Sequence, residues 1–165
     1  MASLTVIVSD VVKLIESMPN DGKLRVIGHQ GNCQNCMGKG IASVLAKAYP
    51  ILEQADNQTI AGDRNKLGTY TYARIKPNVV VCNLYGQYNY GWLNPLDSTG
   101  RQTDYIALQK ALTAMRDDFA GQSTQPVAFY LPRAIGSGLA KGNYNTIRGI
   151  LEEVFKEHEL VLFYN

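Results

Sequence analysis

The stretch that most constrains this chain is Gly28-His-Gln-Gly-Asn-Cys-Gln-Asn-Cys-Met-Gly-Lys-Gly-Ile-Ala42. An apolar strand pattern (Leu24, Val26, Ile27) runs into it, and a helical one (Ile41, Val44, Leu45, Ala48) runs out. A strand that breaks into glycine and then opens a helix leaves unpaired backbone N–H groups aimed at one spot. The helix dipole adds positive potential there, so the arrangement suits an anion, most often a phosphate. A second glycine-rich turn, Pro132-Arg-Ala-Ile-Gly-Ser-Gly-Leu139, stands in the same strand-to-helix context. Two such turns on one sheet would hold a diphosphate between them.

The remaining patterns alternate strand with helix. Leu4 to Val8 reads as a β-branched strand, with Asp10 as cap for a helix through Val11, Leu14, Ile15 and Met18. Leu24 to Gly28 is the second strand, apolar enough to be central. A helix from Gly40 to Tyr49 follows, then one that Pro50 either breaks or starts, through Ile51, Leu52 and Ala55. Thr69 to Ile75 and Val79 to Tyr85 flank the turn Lys76-Pro-Asn78 as a hairpin. Gly86 to Arg101 reads as loop, long enough to imply a task. Tyr105 to Phe119 and Tyr144 to Lys156 carry helical apolar stripes, and Pro126 to Leu131 and Leu160 to Tyr164 are strands. The expected fold is a single three-layer α/β domain over residues 1–165, with a mixed, mainly parallel sheet.

Composition narrows the function. A chain of 165 residues buries roughly 70% of its unfolded surface in one domain. The net charge of +2, without clustered cations, argues against phosphate-driven nucleic-acid binding. No apolar run has the length of a membrane span. The apolar start lacks a basic leader and a cleavage site, so it reads as a strand rather than a signal peptide. Three cysteines do not make a disulfide framework; reduced thiols and a cytoplasmic setting are expected. Five of the ten tyrosines fall between Tyr70 and Tyr90, either on half-buried strands or as one surface for a planar ligand.

Several motifs carry two readings. Cys33-Gln-Asn-Cys36 has the spacing of a zinc or redox pair, but Cys82 stands alone and His158 lies far along the chain, so four ligands are not assembled. Six residues separate Gly31 from Gly38, and Gly40 stands where a P-loop has its hydroxyl, which argues against a triphosphatase. His29 reads as an acid or base near neutral pH or as a packed histidine. Asn32 and Asn35 read as sugar ligands or turn formers, and Asp10 as an adenine acceptor or a helix cap.

These residues together resemble the macro domain family, in its small single-domain group that processes ADP-ribose derivatives. The likeness covers nearly the whole chain. It rests on Val8-Ser-Asp10, Ile27 to Cys33, Met37-Gly-Lys-Gly-Ile-Ala42, Val79 to Tyr85, Tyr105 to Met115, and Leu131 to Leu139. The resemblance implies that Asp10 accepts the adenine amino group. Gly38, Lys39, Gly40 and Ile41 would lie along the distal ribose and diphosphate. Ile135, Gly136, Ser137, Gly138 and Leu139 would wrap the diphosphate from the other side. His29 and Asn32 would face the distal ribose as catalytic groups, with Cys33 in the same ligand-facing loop, and Tyr85 and Tyr88 would form a lid. It implies ADP-ribose or its derivatives as ligand, ADP-ribosylated protein as a further partner, and neither metal nor cofactor. The implied activity is hydrolysis at the distal ribose, of ADP-ribose 1″-phosphate first, then O-acyl-ADP-ribose or an ADP-ribosyl ester. A non-catalytic ADP-ribose reader is the alternative. Its support is Ala140, followed by Lys141, where the deacylating branch has an aspartate. Gly86-Gln-Tyr-Asn-Tyr90 also lacks that branch's lysine, and Ala134 is an extra residue in the second turn.

Overall fold

The alternating patterns become six strands and five helices in a computed structural model that describes residues 3–165. In chain order these are β1 (Ser3–Val8), α1 (Val11–Ser17), β2 (Leu24–Asn32), α2 (Gly40–Ala48), α3 (Pro50–Asn57), a 3-10 turn (Arg64–Lys66), β3 (Tyr70–Lys76), β4 (Val79–Gln87), α4 (Tyr105–Gln122), β5 (Val127–Pro132), α5 (Tyr144–Val154) and β6 (Glu159–Tyr164). The sheet order is β1-β6-β5-β2-β4-β3. Every neighbouring pair is parallel except the β3–β4 hairpin. Parallel strands require crossover helices on the sheet faces, so both faces of the central strands are covered. Accordingly, every residue of β4 from Val79 to Gly86 is buried.

Strand alternation sends the core in two directions. Val80, Cys82, Leu84, Phe129, Leu131, Leu160 and Leu162 meet Leu108, Leu112 and Met115 of α4 and Ile147, Leu151 and Val154 of α5. Ile27, Val79, Val81 and Phe163 meet Leu14 and Ile15 of α1, Leu45 of α2 and Leu52 of α3. This is the three-layer α/β/α arrangement. No helix of the described residues is long and apolar enough to cross a membrane.

Two of the boundaries that differ from expectation bear on the site. β2 continues past Gly28 to Asn32, paired with β4 through a register shift at Gly31 and Asn32. Gly28 is therefore not a turn residue. A Cβ there would lie 2.7 Å from Leu84 Cδ1 and 2.9 Å from Leu131 Cδ2, so the glycine lets two core leucines close over the strand. The loop after β4 starts at Tyr88 and is tightly built. Asp97 accepts from the N–H and hydroxyl of Thr99 and from the N–H and Nε of Arg101. The buried Gln102 amide donates to the carbonyls of Gly91 and Leu93. The tyrosines between 70 and 90 do not form one surface. Tyr70 and Tyr72 flank Phe119, Tyr85 is in the core, and Tyr88 and Tyr90 lie in the loop after β4.

Candidate functional site

In an open α/β sheet, ligands sit outside the carboxyl ends of the strands. Here those ends bring together Ser9 and Asp10 after β1, residues 33–39 after β2, Tyr88 after β4, residues 133–142 after β5, and Tyr164 at the end of β6. Two glycine turns face each other in this group. A Cβ on Gly40 would lie 3.2 Å from Leu139 Cδ1.

The helix starts show what the first turn is for. Helices α1, α4 and α5 are capped by the side chains of Asp10, Asp104 and Asn143. Neither α2 nor α3 has a side-chain cap; α3 begins with Pro50, whereas α2 follows the N-cap Lys39 with Gly40 at φ 61°. The first amides of a helix lack partners within it. Those of Gly40, Ile41 and Ala42 meet no acceptor among the described residues. The positive end of α2 is thus undischarged, and the exposed Lys39 stands at its N-cap.

The second turn is stiffened from within. Ile135 N–H donates to Pro132 O, Ser137 N–H to Ala134 O, and Gly142 N–H to Gly136 O. Thr103 Oγ1 also donates to Gly136 O at 2.6 Å. Gly136 sits at φ 71°, and a Cβ there would press on Ile147 and Gln30. The amides of Gly138 and Leu139 meet no acceptor among the described residues and lie exposed. Ala140 is buried, and its carbonyl accepts from the N–H groups of Gln102 and Thr103.

Between the turns, residues 32–36 are held by side chains that look inward. Asn32 is spent on the loop itself: its Nδ2 donates to Cys36 O at 2.8 Å and its Oδ1 accepts from Gln34 N–H at 2.9 Å. Asn35 adopts φ 55°, which an Asn tolerates better than most residues. Its Nδ2 donates to Thr59 O at 2.9 Å, while its Oδ1 accepts from Lys66 Nζ. Lys66 also pairs with Asp56 at 3.0 Å, both side chains no more than 4% exposed. Asp56 accepts from Tyr85 OH at 2.7 Å. Tyr85 OH meets Thr71 Oγ1 at 2.7 Å, Thr71 accepts from Asn83 Nδ2 at 3.1 Å, and Asn83 Oδ1 meets His29 Nε2 at 2.6 Å. One buried polar chain therefore runs from the central strand to the loop.

Two expected site residues belong to that chain instead of the cleft. His29 has no exposed surface, because β2 extends beyond it, and its Nδ1 has no partner. It does not reach a ligand as acid or base. Tyr85 is fully buried and is no lid; its hydroxyl is occupied within the core. Cys33 is also buried, and burial pushes its thiol up to about 11, which disfavours the thiolate near neutral pH. Asp10 caps α1 through Val12 N–H at 3.3 Å. Tyr88 is half-buried, its hydroxyl tied to Gly62 O and Arg64 stacked on its ring at 3.8 Å. Gly38, Lys39, Gly40, Ile41 and the residues Ile135 to Leu139 are the ones the fold does gather. No cluster of three His, Cys, Asp or Glu able to hold a metal occurs among the described residues.

Burial lowers the pKa of His29 below its ordinary 6.5, outweighing the hydrogen bond to Asn83. The unfolded chain then binds the proton more readily than the folded one. Stability from this group is full above the unfolded pKa and is lost as pH falls from about 6.5 toward the lowered folded value. Urea unfolding should show a lower midpoint at acid pH, and His29→Phe should flatten that slope. His158, also lowered by burial, contributes with the same sign and accounts for the slope left over.

Sequence reasoning missed Asn35's partner Lys66, and also Arg133 and Tyr164. Arg133 stacks on the Tyr164 ring at 3.8 Å, and Ser9 N–H donates to Tyr164 O, so this pair borders Asp10. Nothing in a polar turn marks Lys66 as buried; Tyr164 is found only once β1 and β6 are known to be neighbours.

No protein-family model matches the chain. It is 34% identical over 140 residues to a 17.5 kDa protein from the tk–vs intergenic region of Enterobacteria phage T4, covering 82% of this chain and 83% of that one, and belongs to its family. The solved macrodomain protein from Streptomyces coelicolor superposes with a TM-score of 0.68 at 19% identity, covering 99% of each chain. The chain has the macrodomain fold. DarTG of Thermosipho africanus, solved in complex with ADP-ribose, superposes with a TM-score of 0.59 at 12% identity, over 85% of this chain and 38% of that one. The macrodomain sheet order thus places both glycine turns at the carboxyl edge, as the sequence patterns required.

Proposed function

We propose that this macrodomain binds ADP-ribose and does not hydrolyse it. The observation that carries the reading is the uncapped start of α2 facing the second glycine turn. Two sets of backbone amides without acceptors, on opposite sides of one cleft, suit the two phosphates of a diphosphate. Lys39 adds charge at one wall. Asp10 keeps a carboxylate oxygen for an adenine amino group, beside the Tyr164 ring. Fold neighbours include a protein solved with ADP-ribose, which supports this ligand class.

The case against hydrolysis rests on the distal-ribose side. General acid–base catalysis needs a titratable group within hydrogen-bond reach of the reacting atom. His29 is sealed in the core, Asn32 is consumed by its own loop, and position 140 holds a buried alanine. Calorimetric titration with ADP-ribose should give saturable one-to-one binding. Incubation with ADP-ribose 1″-phosphate should release no phosphate above the rate in buffer. Turnover would restore the hydrolase reading, and absence of heat or thermal shift with ADP-ribose would overturn the ligand assignment.

A further inference from the structure

β3 is a terminal strand of the order β1-β6-β5-β2-β4-β3, lateral to the carboxyl ends that form the site. Its outer edge, like that of β1, is paired with no strand among the described residues. Beside it, on the α4 side, lies a cleft of about 580 Å³ bordered by Tyr70, Tyr72, Arg74, Asp118 and Phe119. Tyr72 is 50% exposed there and meets Phe119 edge-on at 5.3 Å. Exposed edge strands pair with other chains unless they are blunted.

Backbone parity shows what the edge offers. Thr69 O accepts from Tyr85 N–H, so Thr69, Thr71 and Ala73 turn their backbone groups toward β4. By alternation, Tyr70, Tyr72 and Arg74 present N–H and C=O outward, and their side chains all lie on the α4 side. A two-fold axis at Tyr72 would pair Tyr72 with itself and set Tyr70 of one copy opposite Arg74 of the other.

The charges on that face fit the same axis. Arg74 has no carboxylate partner among the described residues; its guanidinium donates only to Pro77 O at 2.7 Å. Asp118 has no cationic partner there and accepts from Tyr70 OH at 2.7 Å. Because Tyr70 holds Asp118, the rotation that sets Arg74 opposite Tyr70 also brings it to Asp118 of the other copy. One surface carries both halves of the pair, as an isologous interface requires.

We propose that two copies of this chain associate through antiparallel pairing of β3, with Arg74 of each meeting Asp118 of the other. The paired sheet has twelve strands and leaves both ligand clefts facing away from the interface. Sedimentation velocity at roughly 100 µM, where a small interface becomes populated, should show the mass of two chains. Arg74→Glu sets like charges opposite each other and should raise the dissociation constant about tenfold or more. Adding Asp118→Lys to that variant should recover most of the loss. Tyr72→Pro removes an outward N–H while sparing the ladder to β4, and should also give single chains with ADP-ribose affinity unchanged. A wild-type chain that stays single at that concentration overturns the proposal. So does a dimer indifferent to Arg74→Glu and Tyr72→Pro.

Discussion

Lys66→Met should lower the unfolding free energy by about 3–5 kcal/mol, because it strips the paired cation from a buried carboxylate. Asp56 is 3% exposed at its side chain, and its remaining partner in the pair's absence would be Tyr85 OH. For a chain of this length the loss corresponds to a melting temperature lower by about 10 °C. Calorimetry measures it directly. The double variant Lys66→Met with Asp56→Leu should recover much of that stability, since no unpaired charge remains in the core. A single variant as stable as the wild type would mean that water or a rearranged side chain reaches Asp56, and that the pair is not sealed.

The second large effect concerns the cleft. Gly40→Val should weaken ADP-ribose binding about a hundredfold, or about 2.7 kcal/mol. Gly40 opens α2 at φ 61°, where a β-branched residue is strained, and its Cβ would stand 3.2 Å from Leu139 Cδ1. The two branch methyls would then fill the gap between the turns and tilt the first amides of α2. Gly149→Ala is the matching control. Gly149 lies within α5 with nothing within 4 Å of a Cβ, so binding should be unchanged and the helix steadier by about 1 kcal/mol. Titration calorimetry on both variants separates a closed cleft from a damaged fold. Equal affinity in Gly40→Val would remove the first turn from the site.

The fold was readable because hydrophobic period and glycine position agree along the chain. Val79 to Tyr85 could only be a strand buried on both faces, and Tyr105 to Phe119 only a helix with one apolar stripe. Both glycine turns were likewise visible, since a strand, a glycine run and a helix in succession admit few geometries. That the expected catalytic residues lie outside the cleft is not readable, for a reason of length. The apolar pattern places His29 beyond the strand, but three further residues pair with β4 and carry it into the core. Periodicity marks a strand's middle and is blind to where its last bond falls. Lys66 and Asp56 form a long-range partnership between two polar segments, and no local pattern announces that either is buried. Ala140 was informative for the opposite reason: a missing carboxylate can be read directly from the residue.

The polar chain from His29 through Asn83, Thr71, Tyr85 and Asp56 to Lys66 and Asn35 makes the loop after β2 part of the same cooperative unit as the central sheet. Segments that recognise ligands are commonly drawn from the least stable parts of a domain. Here the loop opens only when the sheet does. Its amide exchange should therefore track global unfolding, and a ligand meets a wall whose shape is already set. Little ordering entropy is left to lose on association, so selectivity falls on shape and charge rather than on closure of a flap.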